Sequence, residues 1–85
     1  MKQLHPGNQS QARLDLLISL SSIRSDTVKA ALSDFLVNGH SLEAAAALNS
    51  MKPNNLFKAV EETLEPIAQT IVKIEELDWE RFRHG

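Results

Sequence analysis

Apolar residues recur every three or four positions from Ser10 almost to the end of the chain, and no stretch alternates with a period of two. That period belongs to helices with one buried face. The first run carries Leu14, Leu17 and Ile18, widened by Leu16 and Leu20, with Arg13 and Asp15 outside it. The second carries Val28, Ala31, Leu32, Phe35 and Leu36. Ser25 precedes it as an expected N-cap, and Asp26 suits the positive end of the helix dipole. Asn38-Gly39 closes it, since glycine accepts the left-handed backbone of a helix terminus. Ser41 is placed to cap a short third run, "LEAAAAL", which Asn49-Ser50 breaks.

A fourth helix is expected from Met51 to Leu64, with Pro53 in the first turn, where its missing amide costs little. Leu56, Val60 and Leu64 should face inward, and Lys58, Glu61, Glu62 and Glu65 outward. Pro66 should end or kink this helix and open a fifth, with Ile67, Ile71, Ile74 and Leu77 on one side, followed by Trp79 and Phe82. Residues 1–9, with Pro6, Gly7 and Asn8, are expected to form a flexible arm. The pattern therefore predicts an all-α chain: a small bundle of about five helices in a single domain, residues 10–85.

Size and charge narrow the function. At 85 residues the domain is near the lower end of independent stability, where dimerisation is a common remedy. There is no cysteine, which excludes disulfides and thiolate metal sites and fits a reducing cytoplasm. "MKQLHPGNQS" has no apolar core of the signal-peptide kind, and "LDLLISL" is too short to span a bilayer, so no membrane partner is expected. His5 and His84 have no partners at metal-ligand spacing, and Glu61-Glu62 is a surface pair on a helix. No metal, cofactor or catalytic activity is expected. The net charge of −2 is unusual for a nucleic-acid binder, but the acid is concentrated from Leu64 onward, in Glu65, Glu75, Glu76, Asp78 and Glu80. The middle of the chain is slightly basic.

The corner between the third and fourth helices is where function is expected to sit. It is either a helix-turn-helix over about residues 41–64 or the bend of a plain bundle. A helix-turn-helix needs a small residue where its helices cross, a turn residue that tolerates tight geometry, and an apolar lock. Ala46, Ser50 and Leu56 meet these needs, with Val60 as a second anchor. The exposed start of the second helix would then present Lys52, Asn54, Asn55 and Lys58, whose side chains suit phosphates and base edges. Ser41 and Arg24 are secondary candidates for phosphate contact, although Ser41 is most simply a cap and Arg24 a surface residue beside Asp26.

"LLI", "SSIRSD", "DFLVNGHS" and, more loosely, "MKPNNLF" resemble the core of the PapB/FocB-type fimbrial (adhesin biosynthesis) transcription regulators of enteric bacteria, from about Leu16 to Leu64. The resemblance implies an all-helical cytoplasmic regulator associated with the nucleoid. It would bind A/T-rich double-stranded DNA as a dimer or larger oligomer and control fimbrial operons, with groove shape contributing to recognition. The Ile67, Ile71, Ile74 stripe is either plain core or, with Trp79 and Phe82 as aromatic anchors, an oligomer interface. Glu61 and Glu62 in the second helix favour an alternative: a protein-interaction module that joins and antagonises a related regulator without strong DNA binding of its own.

Overall fold

The computed structural model describes residues 2–84, with side chains through Arg81. Among them there are helices and no strands. Helix α1 spans Gln11–Ser19, α2 Asp26–Leu36 and α3 Leu42–Leu48. The fourth, α4, runs without a break from residue 53 to residue 84. It comprises an α segment Pro53–Lys58, a π segment Ala59–Leu64 and an α segment Glu65–His84. Four helices therefore stand where about five were predicted. Pro66 neither ends α4 nor opens a new helix. Its ring has no amide to donate and crowds the carbonyl four residues back. The π turns immediately before it loosen that crowding, and the Glu65 amide reaches back five residues to the Val60 carbonyl.

The π segment also explains a buried row spaced by four. In an α-helix each step of four overshoots a full turn by about 40°. Leu56, Val60, Leu64 and Ala68 nevertheless share the core face, because the wider turns absorb the drift. Glu65, expected outside, is turned inward by the same change and is 4 % exposed. Leu14, Leu17 and Ile18 of α1 and Ala31, Leu32 and Leu36 of α2 complete the core with Ala45 and Ala46 of α3. Leu16 and Leu20, read as widening the α1 face, point to solvent. Ser10, Ser25 and Ser41 each accept the amide three residues on and cap α1, α2 and α3.

The segment expected as a flexible arm is a strap across the bundle. Leu4 is buried. The Gly7 and Gln9 amides donate to the Phe35 and Leu36 carbonyls, each at 3.0 Å. Gly7 passes so close to Gly39 that a Cβ on it would lie 3.2 Å from the Gly39 Cα, and both have positive φ. At the other end α4 leaves the body. Every described side chain from Lys73 to Arg81 is exposed, and the chain measures 50 × 22 × 21 Å.

Candidate nucleic-acid interface

The corner is set by hydrogen bonds at the end of α3. Asn49 is its C-cap, and Ser50 follows with φ 55°, the left-handed conformation that reverses the chain. The Met51 amide donates to the Ala46 carbonyl at 3.0 Å and the Ser50 amide to the Ala47 carbonyl at 3.2 Å. These two bonds form a Schellman closure, which satisfies carbonyls the helix end would otherwise orphan. Ala46 and Leu56 are both fully buried, and Val60 nearly so. Helices α3 and α4 thus pack through a methyl group on one side and a leucine on the other.

Asp34 on α2 braces this turn. Its carboxylate accepts from the side-chain amide of Asn49 at 2.8 Å and from that of Asn38 at 3.0 Å. The Asn49 amide also donates to the Ala45 carbonyl at 2.8 Å. The Asp34 main-chain carbonyl takes the His40 amide at 3.0 Å. The two side-chain amides, that of Asn49 foremost and then that of Asn38, favour the charged carboxylate and hold its pKa below the ordinary 3.8. Sequence reasoning missed this brace, because Asp34 and Asn49 lie fifteen residues apart and neither has an unusual neighbourhood in the chain. A lowered carboxylate pKa contributes stability above the unfolded value, and that contribution is lost as pH falls through the folded value. Asp34→Asn should therefore lower the melting temperature at neutral pH. The gap to the unchanged chain should close as pH drops below about 4 in a thermal-denaturation series.

Lys52, Asn54, Asn55 and Lys58 are exposed within the first two turns of α4. Lys52 is the N-cap, no side chain caps this helix end, and Pro53 removes one orphan donor. The other candidates are not in this group. Ser41 caps α3, its hydroxyl accepting the Ala44 amide at 3.1 Å. The Arg24 guanidinium folds onto its own loop, donating to the Ser21 and Ile23 carbonyls at 3.0 and 2.9 Å. It lines a surface groove with Asp15, Ile18, Ser19, Ile23 and Lys29, none of them from α4. Glu61, one turn beyond Lys58, is met by Lys2 of the strap, Nζ to Oε1 at 2.5 Å.

The expected interface residues divide. Ile67 and Ile71 pack partly against the core, and Ile74 and Trp79 are exposed. Trp79 lies five residues past Ile74, about 140° around the helix, so the two do not form one stripe. The side chain of Phe82 lies outside the described residues.

Two known proteins are similar to this chain. Over 38 residues the chain is 53 % identical to the major pilus subunit operon regulatory protein PapB of Escherichia coli, a match covering 45 % of this chain and 36 % of that relative. The crystal structure of Escherichia coli FocB superposes with a TM-score of 0.81 at 28 % identity, covering 89 % of this chain and 85 % of that one. The family model for adhesin biosynthesis transcription regulatory proteins matches residues 1–77. The all-helical fold, the likeness to FocB and that match over most of its length make this chain a member of the adhesin biosynthesis transcription regulatory protein family, PapB.

Proposed function

We propose that this chain binds double-stranded DNA and regulates transcription of a fimbrial operon, through a helix-turn-helix formed by α3, the Asn49–Met51 turn and the start of α4. One observation carries it. The amino-terminal end of α4 is uncapped by any side chain, and Lys52, Asn54, Asn55 and Lys58 are exposed around it, on a corner braced by Asp34. The positive helix end and two lysines favour phosphate, and asparagine side chains suit base edges. Ser41 and Arg24 contribute less, because their polar groups are already engaged in the chain. The family's association with adhesin biosynthesis favours fimbrial promoters as the target, and we extend the proposal to A/T-rich sequence within them.

Self-association fits the same picture. The overhang of α4 exposes Ile74 and Leu77, three residues apart on one side of the helix, a surface that a second copy would cover. Several weak DNA contacts would then add through effective concentration. The same overhang is what the alternative would use, joining a related regulator.

Gel shift on A/T-rich and G/C-rich duplexes between about 50 and 200 mM salt tests the assignment. A complex that weakens steeply with salt and prefers the A/T-rich duplex is expected. No complex on either duplex, together with loss of a DNA-binding relative's complex on mixing, would select the alternative.

A further inference from the structure

The strap does more than cover the core. Gln3 and Leu4 are tied by their main-chain amides to the buried carboxylate of Glu65, at 2.8 and 3.2 Å to Oε1, with a second contact from Gln3 to Oε2 at 3.0 Å. Leu4 and Glu65 are each 4 % exposed. This clamp delivers Lys2 to α4 beside the reading end. The Lys2 ammonium pairs with Glu61 at 2.5 Å and stands 6.0 Å from the centre of the Phe57 ring. An ordinary surface lysine pays side-chain entropy to hold such a pair and gains little from it. Here the neighbouring backbone is already fixed, and the ring offers a second attraction. Glu61 in turn lies three residues past Lys58, on the same side of the helix.

We propose that residues 2–4 act as a charge cover: Lys2, held by the Glu65 clamp, cancels Glu61 and so keeps the Lys58 side of α4 open to phosphate. This rests on the DNA-binding assignment above, and Lys2 is a positioning residue within it, acting through Glu61. Without the cover, a carboxylate one turn from Lys58 would face the phosphate backbone, with a penalty that salt screens only in part.

Fluorescence anisotropy on an A/T-rich duplex at about 0.1 M salt tests this with Lys2→Gln, Glu61→Gln and the double variant of the full chain. Lys2→Gln should weaken binding about five-fold, a size set by one uncompensated charge near the surface. Glu61→Gln should bind at least as tightly as the unchanged chain. The double variant should bind within about two-fold of Glu61→Gln, because the lysine then has nothing left to cancel. All three should melt within about 5 °C of the unchanged chain, as for an exposed pair. Equal binding by Lys2→Gln and the unchanged chain would overturn the proposal. So would an undiminished Lys2→Gln loss in the Glu61→Gln background with a salt slope lower by about one, since Lys2 would then be a direct phosphate contact. Absence of DNA binding by the unchanged chain overturns the DNA-binding assignment and this proposal together.

Discussion

Leu56→Ala should lower stability by about 3 kcal/mol, within the range of roughly 2–5 kcal/mol for emptying a fully buried leucine site. In a domain of this size that corresponds to a fall in melting temperature on the order of 15 °C. The site gives little room for collapse. Leu56 is fully buried, and so are Ala45 and Ala46 of α3 and Leu32 and Leu36 of α2. Helix α4 packs on both of those helices at this point. The alanines have no longer side chain to swing into the space, and the Ser50 turn fixes the distance between α3 and α4. Leu56→Met keeps the volume and should cost less than about 1.5 kcal/mol. Circular dichroism melts of both variants are the measurement. A Leu56→Ala chain that melts within about 2 °C of the unchanged one would mean that Leu56 does not clamp the corner.

How much of this was legible in the sequence depends on how far apart the partners lie. Ser25 and Ser41 announced α2 and α3, because a cap and its amide are three residues apart and the pattern is local. Asn49-Ser50 announced the turn for the same reason, and Ser50 does take the left-handed conformation. The corner residues Ala46 and Leu56 could be named from spacing alone, since burial on a short helix follows its period.

Three features could not be read this way, and each depends on a long-range partner or on a change of period. The strap is held by Glu65, more than sixty residues on from Gln3. With only Pro6, Gly7 and Asn8 to go on, those residues look like punctuation. Glu65 itself looks exposed under a period of 3.6, and only the π segment turns it inward. Pro66 looks like a helix end because proline is costly inside an α-helix, but a stretch already wound as π tolerates it. The candidate interface was legible in its centre and not in its electrostatics. Lys52, Asn54, Asn55 and Lys58 follow from where α4 starts. The neutralisation of Glu61 by Lys2, which offsets one of the two carboxylates, Glu61 and Glu62, that favoured the alternative, requires the folded strap.

Lys52→Glu combined with Lys58→Glu should reduce DNA affinity by at least about 100-fold at 0.1 M salt and lower the salt slope by about two. Each lysine that neutralises a phosphate contributes close to one unit of slope, and reversal adds repulsion to the loss of attraction. The double variant is also a clean test, because it should not harm the fold. Both side chains are exposed, and Lys52 is the N-cap of α4 with no capping bond to lose. Glutamate at 52, at the positive end of α4, is favourable by a few tenths of a kcal/mol, and glutamate at 58, three and four residues before Glu61 and Glu62, is unfavourable by about as much, so the melting temperature should stay within a few degrees of the unchanged chain. Affinity and stability would then move independently, which separates loss of a contact from loss of a domain. Gel shifts between about 50 and 200 mM salt, paired with thermal melts, give both quantities. Unchanged affinity and slope in a folded double variant would remove the start of α4 from the DNA-binding surface. The basic residues that would remain to be tested in its place are Arg24 and Lys29, on the groove between α1 and α2.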